Sequence, residues 1–400
     1  MSVRSVVGRE VKALWGDGKG VSLAAVAGAW GLLIGARMIY PVIIPHLQTT
    51  FGLSLTVAGS LVTVLWLFGS IGQLPSGVLA DRCDERTLMA GSTIVVAVAL
   101  GLVVTAPTAL VLFVATALWG LGHSLYPIAR ITFLSDLYAD RVGSALGVTM
   151  ATGDVGQTVL PPVAAAITAA IAWQAGLGFV SPLLLLAGIV IFVTVSSPSS
   201  AAQDRDSGSM REMVSVVTEL RTPAMGLMTV VLFLYLFIWQ AFTTFYPTYL
   251  TTVKGLSPST ASVLFGFFFA VGVVTKPVAG AAYDRIGMRG SLIGILVPPV
   301  AGFVLLPFVE NVWFLVAITA LISTMLGSGA VTQSYLSDAF SDATTGTGLG
   351  VVRTITAVLA SSGPIVFGAV ADHGYFDQGY VALGVVMLAA IGLTALMPRS

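Results

Sequence analysis

The stretch Gly77–Arg86, GVLADRCDER, and its echo Gly280–Arg289, GAAYDRIGMR, are short charged breaks between long apolar runs. Gly77, Asp81 and Arg82 reappear as Gly280, Asp284 and Arg285, a constant shift of 203 residues. The same shift carries Gly52-Leu53-Ser54 onto Gly255-Leu256-Ser257, Leu146-Gly147-Val148 onto Leu349-Gly350-Val351 and Pro161 onto Pro364. So long a reach of shared offset marks two copies of one half.

Composition says what solvent these halves fold in. The 400 residues are 56% hydrophobic and 9% charged, with a mean hydropathy of +0.96; soluble domains carry about 25% charged residues. A bilayer is therefore the solvent for most of the chain. The net charge of zero gives no electrostatic footprint for nucleic acid. A single cysteine, Cys83, allows no internal disulfide, and the 44 glycines suit membrane helices that approach closely. The first long apolar run starts near Gly20 and is too long for a signal-peptide core, so no cleaved leader is expected.

A membrane helix needs roughly 20 apolar residues. Twelve such runs are expected, at 21–44, 55–79, 87–106, 109–134, 143–168, 174–196, 223–249, 258–280, 289–308, 312–336, 346–370 and 377–397. The fold class is thus all-α integral membrane: a six-helix bundle in 1–196, a cytoplasmic linker in 197–222 and a second six-helix bundle in 223–400. Four of the 18 Lys and Arg lie in spans or at their margins (Arg37, Arg130, Lys276 and Arg353) and Lys254 falls in an outer loop. The rest fall on one side if both termini are cytoplasmic, which sets the expected orientation in the plasma membrane. Six spans per half is even, so the halves are parallel repeats about an axis along the membrane normal, with a cavity expected at mid-depth.

Gly77-Val-Leu-Ala-Asp81-Arg82, between the second and third spans, resembles the loop signature G-x-L-x-D-R-x-G-R-R of the major facilitator superfamily. With twelve spans, a central linker and the second copy at Gly280, the resemblance covers the whole chain. It implies a transporter working by alternating access. Asp84 and Glu85 replace the usual Gly and Arg, Arg86 fills the last basic place, and the second copy keeps Gly287 and Arg289. The family's first-copy aspartate faces the eleventh span and holds the cytoplasmic side shut. Carried over, Asp81 with Arg82 and Arg86 forms an inner latch, with Asp284, Arg285, Asp136 and Asp338 beside it. Gly77 and Gly280 are expected to let these helix ends pass close to a neighbour. The fifth span, GVTMATGDVGQTVLPP, resembles the Gly- and Pro-rich motif of the family's exporters, whereas Thr116 stands where many proton-coupled exporters carry arginine.

Charges inside spans are the sharper signal. An ionised residue near the bilayer centre costs about 2.5–3.5 kcal/mol on the lenient insertion scale, so it faces a cavity or a partner. Arg37 in the first span and Asp154 near the middle of the fifth are within reach of one another. They are read either as a fixed ion pair or as a solute-binding arginine with a proton-carrying aspartate. His123, Arg130 and Arg353 complete the set; Tyr40, Gln157, Trp239 and Gln240 are further candidates for the route. Tyr40-Pro41 and Tyr246-Pro247 recur at matching span ends and are read either as gate hinges or as packing kinks. No ATP loop, metal-spaced Cys/His cluster or nucleophile elbow occurs, so neither enzyme chemistry, cofactor nor metal is expected. The expectation is a monomeric secondary transporter of a small organic solute, coupled to protons or sodium. Exporter of amphipathic compounds and carrier of organic anions stay open, with a non-transporting receptor as the remote alternative.

Overall fold

A computed structural model of the chain describes residues 14–80, 82–195, 222–339 and 345–397, without the side chains of 17, 78 and 345–347. Asp81 and all of the expected linker except Thr222 lie outside these residues. The described residues form helices and no strand. In a bilayer this is dictated by the backbone, because every N–H and C=O must be satisfied within its own segment.

Among the described residues, ten helical stretches are long and apolar enough to cross a membrane. They are α1 (Lys19–Phe51), α2 (Leu55–Gly77), α3 (Glu85–Val104), α4 (Ala109–Leu137), α6 (Trp173–Thr194), α7 (Pro223–Thr252), α10 (Val312–Ala339), α11 (Gly348–Asp372), α12 (Phe376–Leu396) and the 51-residue stretch Pro258–Phe308. That last stretch is two spans, α8 (258–286) and α9 (288–308), meeting at Gly287, whose φ of 71° and ψ of 176° are non-helical. A further helix, α5 (Val142–Ala170), falls short of that apolarity through its Thr, Asp, Gln and two prolines. Its 29 residues still make about 43 Å of helix, more than the roughly 30 Å hydrocarbon core.

Local chemistry sets the ends. Asp84, Thr108, Thr222, Ser257 and Asn311 each cap a helix by accepting a backbone N–H with the side chain. The duplicated half is visible in the details. Gly52 and Gly255, related by the 203-residue shift, both turn the chain at φ 66°, where a residue with a Cβ would be strained. Tyr40 donates to Thr116 Oγ1 at 2.6 Å and Tyr246 to Thr319 Oγ1 at 2.5 Å. Both threonines spend their own protons on the carbonyl four residues back, Leu112 and Leu315, which fixes the tyrosines as donors.

The chain divides into two compact units, Met1–Ile43 with Leu67–Gln203, and Ile44–Trp66 with Asp204–Ser400. Thus α1 and α2 each begin in one unit and end in the other. In the first unit α1 and α5 touch backbone to backbone. A Cβ on Gly156 would stand 2.0 Å from Gly31 O, and one on Gly35 would stand 2.6 Å from Gly156 O. Thr152 Oγ1 adds a hydrogen bond to Ala27 O at 2.8 Å across the same seam. Lipid supplies no hydrophobic drive for helices to associate, so such small-residue contacts carry the packing.

The second unit is packed with rings instead. Phe242 lies 4.5 Å from Tyr246 and 5.0 Å from Phe268, and Tyr380 lies 4.6 Å from Tyr249 and 4.9 Å from Phe367, centroid to centroid. Each well-oriented pair adds about 0.5–1.5 kcal/mol beyond burial. Here too α2 and α11 meet closely: a Cβ on Gly59 would stand 2.4 Å from Pro364 O, and one on Gly368 would stand 2.5 Å from Leu55 O.

Candidate functional site

The two units differ in what they bury. Among the described residues, every buried charged or imidazole side chain lies in the first unit: Arg37, His123, Arg130 and Asp154, at 7%, 4%, 4% and 8% exposure. The buried polar groups of the second unit are hydroxyls and the Gln240 amide.

The α1–α5 seam positions two of the four. Arg37 follows Gly35 by two residues, and Asp154 precedes Gly156 by two. The contacts of Gly31, Gly35 and Gly156 put Asp154 about level with Gly31, about six residues or 9 Å along the axis from Arg37. The Arg37 guanidinium reaches toward α2, with Nη2 3.3 Å from where a Cβ on Gly69 would stand. Any larger residue at 69 would compete for that space. Asp154 Oδ1 accepts from the Gln157 amide at 3.4 Å, one helical turn on.

His123 and Arg130 are placed by α4 and meet α1 at Trp30. The Arg130 guanidinium carbon lies 3.9 Å from the Trp30 ring centroid, and Nη1 donates to Thr149 Oγ1 on α5 at 3.1 Å. Trp30 lies 5.9 Å from the His123 ring and 6.0 Å from Tyr126, with which it stacks. Gly153 makes room for the indole, since a Cβ there would stand 2.9 Å from Trp30 Nε1. Among the described residues, neither Arg130 Nε nor His123 Nδ1 has a hydrogen-bond partner. A desolvated cation over an indole face is stabilised by up to about 2 kcal/mol. Trp30, Tyr126 and Thr149 were not among the sequence candidates: one helix's spacing does not say which residue of another it will face.

The remaining candidates fall in different places. Tyr40 is fully buried against Trp119, their rings 5.2 Å apart, and bonded to Thr116. In the second unit, Trp239 packs edge to face on Trp66 at 5.2 Å, and Gln240 Oε1 is buried without a hydrogen bond among the described residues. Arg353 is exposed and donates to Gln333 Oε1 at 2.8 Å.

At the expected latch, Asp81 lies outside the described residues. Arg82 is exposed in a turn, its N–H bonded to Leu79 O at 3.0 Å. Asp84, one of the departures from the signature, caps α3 at Thr87 N and lies 3.5 Å from Arg86 Nε. Arg86 also stacks on Phe192 at 4.4 Å. Asp338 accepts from Tyr283 Oη at 2.6 Å, while Asp136, Asp284 and Arg285 are exposed. The close-approach role expected of Gly77 and Gly280 does not appear: a Cβ on either would meet nothing within 4 Å among the described residues. Tight helix contacts fall instead on Gly31, Gly35, Gly59, Gly156 and Gly368, because those glycines sit at helix crossings rather than at loop ends.

A family model described as "Major Facilitator Superfamily" matches residues 25–332 and 254–400. The "Probable nitrate/nitrite antiporter NarK1" of Thermus thermophilus is 24% identical over 65% of this chain and 60% of its own length. The "Nitrite extrusion protein" of Bacillus subtilis (strain 168) is 22% identical over 84% of each chain. The "Multidrug resistance protein MdtG" of Escherichia coli (strain 55989 / EAEC) is 26% identical over 64% of this chain and 62% of its own. The chain thus spans less than two thirds of the first and third of these relatives. A solved bacterial homolog of the human lysosomal transporter Spinster shares the fold, with a TM-score of 0.81 at 14% identity over 96% of this chain and 97% of its own.

Proposed function

Because the chain belongs to the major facilitator superfamily, we propose that it carries a small organic solute across the plasma membrane by alternating access, driven by a proton gradient. The observation that carries this reading is the set of four buried ionisable residues, Arg37, His123, Arg130 and Asp154, inside membrane-spanning helices of one unit. Buried charges are expensive in a bilayer and are kept where they handle charge. Two guanidinium groups against one carboxylate favour a solute that brings negative charge. Asp154 is the proton carrier in this reading, as the one carboxylate among the four. Both termini are cytoplasmic, which places the charged breaks at Gly77–Arg86 and Gly280–Arg289 on the inner face. Relatives named for nitrate and nitrite support an anionic solute.

A second reading, export of amphipathic compounds, draws on the Trp66–Trp239 pair beside the unpartnered Gln240 oxygen and on the likeness to MdtG. Purified protein in proteoliposomes separates the two. Under proton gradients of either polarity, labelled carboxylates should accumulate, a protonophore should collapse the accumulation, and Arg37→Ala should abolish it. Accumulation of amphipathic cations alone, unaffected by Arg37→Ala, would select the exporter reading. No flux of either class under proton or sodium gradients would overturn both.

A further inference from the structure

Arg130 and His123 each present a polar atom, Nε and Nδ1, that is nine-tenths or more buried yet makes no hydrogen bond among the described residues. A buried donor left unsatisfied is costly, and native proteins keep few of them. Both atoms belong to one constellation. The guanidinium plane of Arg130 is pinned by Trp30 at 3.9 Å and by Thr149 through Nη1 at 3.1 Å, leaving the Nε edge unused. His123 packs against the same indole from α4, 5.9 Å away. Trp30 is half-buried, so the constellation is not sealed.

The Nε edge of a guanidinium offers coplanar N–H groups that match two oxygens of a flat anion, and low dielectric strengthens such bonds. An aromatic face beside it favours a flat partner over a tetrahedral one. We propose that Trp30, His123, Arg130 and Thr149 form the seat of a planar oxyanion, either the carboxylate of an organic acid or an inorganic ion of the same geometry such as nitrate. The Nε edge of Arg130 donates to the anion's oxygens, and His123 adds an N–H from Nδ1 in the tautomer that carries its proton there. Thr149 holds the guanidinium in plane as a positioning residue, and the bound anion supplies the negative charge that the interior lacks. This seat deepens the transport reading by naming the solute class, and its physiological role rests on that reading.

The test titrates the purified full-length chain in detergent with sodium benzoate and sodium nitrate, with chloride and sulfate as controls at constant ionic strength. Thermal unfolding and tryptophan fluorescence give the affinity. Benzoate or nitrate should stabilise the protein saturably, with chloride and sulfate inert. Benzoate alone identifies an organic acid, and nitrate alone an inorganic ion. Arg130→Gln should weaken binding at least tenfold, and Arg130→Lys should do nearly as much, because lysine keeps the charge but not the flat edge. If Arg130→Gln is not monodisperse, Trp30→Leu and His123→Gln should each weaken binding severalfold. Unchanged affinity in these variants, or no saturable response to either planar anion, overturns the seat. Flux measured on the same preparations separates the two claims. Gradient-driven transport of another solute without planar-anion binding removes the seat and leaves the transporter. Planar-anion binding with no flux of any solute removes the transporter and leaves the seat.

Discussion

Asp372 Oδ2, at the C-terminal end of α11, accepts the backbone N–H of Thr56, at the N-terminal end of α2, at 2.7 Å. The other carboxylate oxygen accepts Leu55 N–H at 2.6 Å, and the Thr56 hydroxyl adds a third bond. A carboxylate on the exposed N–H groups of a helix start satisfies donors that have no partner within the helix. This one comes from 316 residues away in sequence, so it fastens two helices as well as capping one.

Losing that fastening should loosen α2 from α11. A cap of this kind is worth about 0.5–2 kcal/mol, so Asp372→Ala should shift any equilibrium between fastened and released helix ends by about fivefold for 1 kcal/mol. Asp372→Asn, which keeps one acceptor oxygen, should shift it less. Distances between spin labels at Ser60 and Gly374 read the change; an unaltered distribution in both variants would contradict it.

Glycine substitutions should divide sharply by position. Gly156→Ala puts a Cβ 2.0 Å from Gly31 O and must push α5 off α1, which overpacking data place at about 1–3 kcal/mol. Gly147→Ala, on the same helix, meets nothing within 4 Å and should be neutral or gain up to about 1 kcal/mol from helix propensity. Thermal unfolding of the two proteins in one detergent checks the contrast.

The matched tyrosines should behave alike. Tyr40→Phe and Tyr246→Phe each remove one donor, while Thr116 and Thr319 stay bonded to Leu112 O and Leu315 O. Each should therefore cost only about 0.5–1.5 kcal/mol, and the two costs should add because the residues lie in different units. A much larger loss of transport than of stability for Tyr40→Phe alone would show that its hydroxyl serves the solute.

The all-helical membrane fold was legible because apolar runs of about 20 residues leave the backbone little choice. Their ends were less so. The α1 helix runs on to Phe51 through His46, Gln48 and Thr49, since polarity ends an apolar run without ending a helix, and Gly52 is what turns the chain. The 203-residue shift pairs Gly52 with Gly255, and both turn the chain; the matching tyrosine bonds to Thr116 and Thr319 were not foreseen. The individual charges Arg37, His123, Arg130 and Asp154 were legible from their cost in a bilayer. Their neighbours were not. Trp30 beneath Arg130, and Asp372 on the start of α2, are partnerships between helices far apart in sequence. Hydropathy and periodicity report one helix at a time.

Counterflow tests the central claim most directly. Proteoliposomes loaded with an unlabelled carboxylate and diluted into a trace of the same labelled compound, with no ion gradient, report whether one site serves both faces in turn. The account predicts transient accumulation of label above equilibrium for at least one planar carboxylate, lost in Arg130→Gln. Monotonic equilibration, or no entry, for every member of a carboxylate panel would contradict it.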